Sequence, residues 1–179
     1  MNIEPPQPIE DYRAVLAVST TDHRKRVLFV AENATMAQVV RLSVLARGLD
    51  SSRYEVHFAC AEFDPMVFAG TSFARHEIYS LPREIVEKAS SEGKPIYEVA
   101  VLEKYVDEEL ALIARVKPDV LVGDFRLSLS TSAALARIPV ATLINAYWSP
   151  YAVRDAFPVP DHPMVRLVGE NMAARFFPQ

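Results

Sequence analysis

The chain has 179 residues, of which half are hydrophobic and 23% are charged, and its net charge at pH 7 is −4. This length and composition predict one globular domain with a full hydrophobic core. The negative charge and the lack of a basic block argue against nucleic acid as a partner. No apolar stretch of the sequence is long enough to span a bilayer, so we predict no transmembrane segment.

The sequence contains one cysteine, Cys60, and four histidines. A lone cysteine cannot form a disulfide within the chain, and we therefore expect a reducing, cytoplasmic location. The histidines, at positions 23, 57, 76 and 162, do not have the spacing of metal ligands. We predict neither a metal site nor a resident cofactor.

Residues 1–24 are polar and include three prolines, and we predict a flexible N-terminal tail. The alternative is an arm that binds a partner. Residues 26–31, RVLFVA, then predict a short strand buried on both faces. Residues 35–47 have the apolar spacing of a helix. The loop between this strand and helix contains Glu32 and Asn33 but no GxGxxG sequence, so the classical dinucleotide fingerprint is absent.

The middle of the chain continues the alternation of strand and helix patterns. The longest predicted helix covers residues 97–117, and we predict that its acidic residues, including Glu109, form a solvated face. Between the two ends of this region, the sequence predicts a strand at 54–60, a short helix or turn at 64–70, a weaker strand at 72–78 and an amphipathic helix at 82–90.

The stretch from residue 117 to residue 148 has the clearest strand–helix–strand pattern. Two short apolar runs, 120–122 and 140–144, flank an Ala- and Leu-rich helical pattern at 128–137. Strands that are apolar throughout are typical of a parallel sheet covered on both faces. Polar or aromatic residues follow both runs: Asp124 after the first, and Asn145, Tyr147 and Trp148 after the second.

The alternation predicts an α/β fold, a Rossmann-like doubly wound parallel sheet over residues 25–179 with strand order 3-2-1-4-5. In such a sheet the carboxyl ends of strands face the ligand crevice. We therefore expect Glu32, Asn33 and Thr35 to face Asp124 across one crevice. A final helical pattern at 164–176 could pack on the sheet or mediate a homodimer.

Each candidate side chain also has a purely structural interpretation. Asp124 could cap the next turn, or it could orient a base or contact a substrate hydroxyl. The aromatic residues near Asn145 could line a pocket or seal a core. The crowded serines at 128, 130 and 132 predict a helix cap rather than a nucleophile, because the sequence has no GxSxG elbow.

Three segments together resemble the N-terminal domain of GT-B-fold glycosyltransferases, especially the macrolide and UDP-glucuronosyltransferase-like groups. They are RVLFVAENATMAQVVRLSVLARGL, SSRYEVHFAC and KPDVLVGDFRLSLSTSAALARIPVATLINAYWSPY, within residues 26–151. In that family the N-terminal domain binds the acceptor, and a C-terminal domain binds the nucleotide sugar. The resemblance therefore implies the N-terminal half of a GT-B fold, with the donor domain absent from this chain.

The family places a histidine base in the helix after the first strand and an aspartate that orients it after the fourth strand. The aspartate position falls on Asp124, whereas the histidine position falls on Gln38. Ala37 and Arg41 replace the glycine and proline that flank the histidine in the family. A glutamine cannot take up a proton near neutral pH. The resemblance thus names Asp124 and Gln38 as the catalytic positions and puts catalysis at Gln38 in doubt.

The resemblance implies sugar transfer from a nucleoside diphosphate sugar to a hydroxyl group of a small-molecule acceptor, with little activity without a donor-domain chain. The residues implied for acceptor binding are Glu32, Asn33, Thr35, Asn145, Tyr147 and Trp148. One alternative is a non-catalytic relative that binds a partner protein or a small apolar ligand. Another is a nucleotide-binding α/β domain of a different kind.

Overall fold

The structure is a computed structural model, and it describes residues 24–145 and 166–167. Strands and helices alternate as the sequence predicts. Along residues 24–145 they are β1 (Lys25–Ala31), α1 (Met36–Arg47), β2 (Tyr54–Cys60), α2 (Pro65–Phe68), β3 (Ala74–Glu77), α3 (Arg83–Ser91), α4 (Val99–Val116), β4 (Val120–Asp124), α5 (Leu129–Ala136) and β5 (Val140–Leu143).

The strands form one sheet in the order β3-β2-β1-β4-β5, which confirms the predicted Rossmann-like order. Strand β1 lies at the centre and pairs in parallel with β2 on one side and β4 on the other. In the second pairing Ala31 is opposite Asp124. The segments that follow β1 and β4 therefore leave the sheet at the same edge, where strand order reverses and ligands of such folds bind.

Side chains of β1 alternate between the two faces of the sheet, and both faces are covered. Leu28 and Val30 are buried with residues of α4 and α5, including Ile113 and Leu129. On the opposite face Phe29 stacks on Phe58, with ring centroids 6.1 Å apart. This two-sided burial explains why the strand has no polar alternation in sequence.

Helix α4 contains the main departure from the sequence predictions. Glu109 was predicted to belong to a solvated face but is only 1% exposed. Ser128 lies at the N-cap position of α5, yet its hydroxyl does not cap the helix and instead donates to Glu109 Oε1 at 2.6 Å. Ser128 has helical dihedral angles (φ −64°, ψ −28°) instead of the extended conformation of a capping serine, and its proton satisfies the buried carboxylate.

Several predictions concern residues outside the described ranges. These are the tail up to residue 23, Tyr147 and Trp148, and the pattern at 164–176 apart from residues 166 and 167. The chain divides into two compact units, Met1–Ala141 and Thr142–Gln179. Within the described residues no helix has the length and apolarity to cross a membrane, and no His, Cys, Asp or Glu group of three or more could hold a metal ion.

Candidate functional site

A cavity of about 640 Å³ lies at the carboxyl ends of β1, β2 and β3. The loops that follow these three strands form its walls. Its surface combines apolar side chains with neutral polar ones, three acidic residues and one basic residue, Arg83. The lining includes Asn33, Thr35 and Met36 after β1, Glu62, Phe63 and Val67 after β2, and Ser80, Leu81 and Pro82 after β3.

Two of the predicted acceptor-binding residues, Asn33 and Thr35, line this cavity. Glu32 does not, because its side chain turns into the protein and is only 1% exposed. Asn145 is half-buried and lies in the second compact unit. The structure therefore brings together only part of the predicted set, on the loop and helix start that follow β1.

Behind the cavity wall, Glu32 belongs to a buried polar cluster. Tyr105 Oη donates to Glu32 Oε1 at 3.3 Å and accepts from the backbone N–H of Leu81 at 2.5 Å. The guanidinium of Arg126 lies 4.0 Å from the centroid of the Tyr105 ring. Its Nη1 donates to Ser80 Oγ at 2.9 Å and lies 3.7 Å from Glu32 Oε2.

The other side of the cluster is built on Glu109. Arg126 Nε donates to Glu109 Oε1 at 2.7 Å, and Ser132 Oγ donates to Glu109 Oε2 at 2.5 Å. With Ser128, the carboxylate receives three donors in the protein interior. Two buried carboxylates, Glu32 and Glu109, thus share one buried guanidinium, and their charges are incompletely balanced.

Burial raises the pKa of Glu32 because water no longer stabilises its charged form. The positive charge of Arg126 and hydrogen bonds from Asn33 and Tyr105 act in the opposite direction. Glu32 Oε2 and Arg126 Nη2 are buried without a hydrogen-bond partner among the described residues. Such groups are rare in folded proteins and are often found at functional sites.

Sequence reasoning missed Ser80, Tyr105 and Arg126 as members of this cluster. The only signal in the sequence is the pair Asp124 and Arg126, two charged residues at the end of an apolar strand. Phe125 between them has a φ of 56°, a left-handed conformation that is uncommon for a bulky side chain. This turn places both charged neighbours in the interior, where each is 3% exposed or less.

Asp124 forms an ion pair with a residue of α1. Arg41 Nη2 donates to Asp124 Oδ1 at 2.7 Å, and the aspartate side chain is 1% exposed whereas that of Arg41 is 42% exposed. Burial raises the pKa of Asp124, and the charge of Arg41 partly offsets this effect. Asp124 does not line the cavity.

Gln38 lies at the third position of α1 and completes a capping box. Its Oε1 accepts from the backbone N–H of Thr35 at 2.9 Å, which satisfies a donor at the helix start. The side chain is buried and does not line the cavity. The geometry of Gln38 is therefore that of a structural cap.

Comparisons with known proteins find relatives in sequence and in structure. Over 146 residues, 82% of this chain, it is 48% identical to an "Inactive PGL/p-HBAD biosynthesis glycosyltransferase" of Mycobacterium bovis BCG. Over 175 residues, 93% of this chain, it is 43% identical to a "PGL/p-HBAD biosynthesis rhamnosyltransferase" of the same organism. The chain is a glycosyltransferase-like domain.

This domain spans about 40% of the length of these curated relatives: 40% of the first and 38% of the second. It also matches the crystal structure of SsfS6, a Streptomyces glycosyltransferase, with a TM-score of 0.49 and 27% identity, over 66% of this chain and 39% of that one. No protein-family model matches the chain.

The sequence resemblance predicts that Gln38 and Arg41 stand where the family has a histidine and a proline, and both residues have structural partners. Gln38 caps α1, and Arg41, one turn further along the same helix, pairs with Asp124. The positions are thus occupied by a cap and an ion pair.

Proposed function

We propose that this chain is the acceptor-binding domain of a glycosyltransferase that moves a sugar from a nucleoside diphosphate sugar to a hydroxyl group, and that it does not catalyse transfer alone. The observation that carries the proposal is the cavity at the carboxyl ends of β1, β2 and β3. In open α/β sheets, ligands bind at this edge.

The lining of the cavity suits an acceptor with an apolar body. Met36, Phe63 and Leu81 offer apolar surface, while Asn33 and Ser80 can hydrogen-bond a hydroxyl. A volume of about 640 Å³ is within the range typical of small-molecule sites. The names of the relatives support sugar transfer as the reaction of the whole protein.

Gln38 and Arg41 support the second part of the proposal. Sugar transfer to a hydroxyl group benefits from a base, and loss of general-base help typically slows a reaction by about 10² to 10⁴. Gln38 Oε1 is already used by the backbone of Thr35, and Asp124 is already paired with Arg41. Binding of an acceptor does not require either group to take up a proton.

The same two residues favour one alternative, a non-catalytic domain that binds a small apolar ligand. The two functions differ when a donor domain is supplied. We expect a donor-domain chain to restore sugar transfer to an acceptor held by this chain. Saturable ligand binding with no transfer under any pairing would favour the non-catalytic function.

Acceptor binding is tested by titrating 4-butylphenol into the isotopically labelled chain and following backbone amide signals. We expect saturable shifts for residues 33–36, 80, 81, 83 and 84, which line the cavity and have a backbone N–H. Val67→Trp should fill the cavity and abolish the shifts, whereas Val44→Trp, at a 63% exposed position of α1 outside the lining, should not.

A nucleotide sugar provides the converse test. UDP-glucose should not raise the melting temperature of the chain, since a ligand stabilises only the fold that binds it. A saturable increase with UDP-glucose, together with no binding of the phenol, would contradict the proposal and indicate a nucleotide-binding domain.

A further inference from the structure

The cavity lies at the beginning of three helices. Its lining includes Thr35 and Met36 at α1, Asp64 and Pro65 at α2, and Pro82 and Arg83 at α3. Backbone N–H groups without a partner give a helix start a partial positive charge, which ordinarily attracts anions such as phosphate and carboxylate. The groups that satisfy these helix starts therefore help to decide which ligand charge the cavity accepts.

Groups of the chain itself satisfy or offset all three helix starts. At α1, Gln38 Oε1 accepts from the backbone N–H of Thr35 at 2.9 Å. At α2, Asp64 Oδ1 accepts from the backbone N–H of Met66 at 2.7 Å. At α3, Glu84 lies in the first turn, where a negative side chain offsets the positive end of the helix. An anionic ligand would thus meet carboxylates at two of the three helix starts.

The charged side chains of the lining act in the same direction. Three carboxylates line the cavity, those of Glu62, Asp64 and Glu84, whereas Arg83 supplies the one guanidinium group of the described lining. Arg83 Nε is 2.7 Å from Glu87 Oε1, a carboxylate outside the lining. The cation of the lining is therefore already paired, and the lining carries an excess of negative charge.

Charges behind the walls do not reverse this sign. Arg47 and Arg75 lie behind the residues that follow β2, where Arg47 donates to backbone oxygens and Arg75 packs over phenyl rings. In the buried cluster, Glu32 and Glu109 share Arg126. Together with the lining and the ion pair of α3, these groups comprise six carboxylates and four guanidinium groups.

We propose that the cavity selects against anionic ligands and binds acceptors that are neutral or positively charged. A carboxylate or phosphate that entered the cavity would lose water and meet like charges, whereas a cationic group would meet opposite charges. The proposal rests on the proposed function and adds the charge of the acceptor. The acceptor is an alcohol or phenol without a carboxylate or phosphate group.

The experiment uses three compounds that share an apolar body and a planar head group and differ in charge. At about pH 7.5, 4-butylbenzoate is negative, 4-butylbenzamide is neutral and 4-butylbenzamidine is positive. Both ions lose hydration on binding, so the ratio of their affinities reports the sign of the potential in the cavity. Isothermal titration calorimetry measures the three affinities.

We expect the native chain to bind the benzamidine about tenfold more tightly than the benzoate in about 0.1 M salt, with the benzamide between them. The ratio should fall below about threefold in about 1 M salt, where the Debye length is about 3 Å. A preference that came from the shape of the head group would not depend on salt in this way.

The double variant Glu62→Gln/Glu84→Gln removes two charges from the lining and should lower the ratio to about threefold in about 0.1 M salt. Both side chains are exposed, so the fold should persist, and circular dichroism establishes this. Glu98→Gln/Glu103→Gln is the matched control, because it removes two exposed carboxylates that lie outside the lining. It should keep the native ratio.

The outcomes separate this proposal from the function on which it rests. If 4-butylphenol and all three compounds fail to bind the native chain, the acceptor site and the charge selection are both wrong. If the phenol binds, but the benzoate binds as tightly as the benzamidine or the benzamidine does not bind, the charge selection is overturned while the acceptor site stands. If the folded Glu62→Gln/Glu84→Gln variant keeps the native ratio, the charge selection by the lining is likewise overturned.

Discussion

Arg41 and Asp124 lie on different elements, 83 residues apart in sequence, yet Arg41 Nη2 donates to Asp124 Oδ1 at 2.7 Å. The pair joins α1 to the end of β4, next to the central strand. The sequence resemblance predicts that Asp124 holds the position of an aspartate that orients a base, and the ion pair with Arg41 would change what such a carboxylate can do. Its second oxygen, Oδ2, has no hydrogen-bond partner among the described residues.

Arg41→Ala should destabilise the fold by about 2 kcal/mol at neutral pH, because it leaves a buried carboxylate without its cation. The value is below that of a fully buried pair, since Arg41 is 42% exposed. Urea unfolding measures the change. Lowering the pH should reduce it, because burial raises the pKa of Asp124 and the neutral carboxyl no longer needs a cation.

Arg83→Ala is the control for this experiment. It removes an arginine whose ion pair with Glu87 is exposed on both sides, and such pairs contribute less than about 1 kcal/mol. Equal losses for the two variants would show that the Arg41–Asp124 pair has no special role in stability.

Gln38→His alone should not restore a histidine–aspartate pair, because Asp124 remains neutralised by Arg41. Combined with Arg41→Ala, the same substitution should raise the pKa of the introduced histidine by about one unit, as a nearby carboxylate does. Titration of the imidazole signals by NMR measures both values. An unchanged pKa in the double variant would mean that position 38 does not reach Asp124.

Gln38→Ala should lower the free energy of unfolding by about 1 kcal/mol, the usual effect of losing a capping interaction. Gln38→Glu should retain the native stability, since its carboxylate can accept from the backbone of Thr35 and is favoured at a helix start. Both are measured by urea unfolding. If Gln38→Ala leaves stability unchanged but weakens 4-butylphenol binding, the residue has a ligand-binding role and the capping interpretation is wrong.

The free energy of unfolding should decrease when the pH is lowered below neutral, because β2 and β3 carry a pair of histidines in contact. His57 Nδ1 and His76 Nε2 are 3.0 Å apart, and His57 Nε2 is 3.1 Å from Glu55 Oε1. One ring nitrogen of the pair must be unprotonated to accept the hydrogen bond. Burial, His57 and Arg115 lower the pKa of His76 below its ordinary 6.5.

His76 therefore binds a proton more weakly in the folded chain than in the unfolded chain. The free energy of unfolding should decrease as the pH falls through about 6.5. Glu55 pairs with Arg26 and His57, and no carboxylate of the described contacts pairs with His76. His76→Asn should reduce the change of the unfolding free energy with pH. Urea unfolding at about pH 7.5 and about pH 5.5, on either side of the ordinary histidine pKa, measures this change. Parallel curves for the native chain and His76→Asn would contradict this origin.

Arg137→Gly should stabilise the chain by about 0.5 to 1 kcal/mol. Arg137 ends α5 with a φ of 57°, a left-handed conformation that glycine adopts without strain. Gly48, which ends α1 with a φ of −75°, does not need this freedom, so Gly48→Ala serves as a control with little expected gain or loss. Thermal unfolding compares the two, and a destabilised Arg137→Gly would show that the arginine side chain contributes more than its conformation costs.

Much of the fold could be predicted from local patterns. The apolar run of β1 and the periodicity of α1 and α4 depend on neighbours in sequence, and their limits agree within two residues. The strand order follows from crossover handedness and the alternation of elements. The buried state of Glu109 could not be predicted, because a carboxylate at a helical surface position has the same local pattern whether or not a distant arginine covers it.

The sequence by itself determined the class of sheet, the family resemblance and the absence of a histidine at position 38. Only the tertiary structure decided what the polar residues at the sheet edge contact: Arg41 with Asp124, Gln38 with Thr35, and Glu32 with Tyr105 and Arg126 behind the cavity. The physical reason is that secondary structure depends on backbone preferences and apolar spacing within about ten residues. The partner of a buried charge depends instead on which distant side chains the packed core brings within 3 to 4 Å.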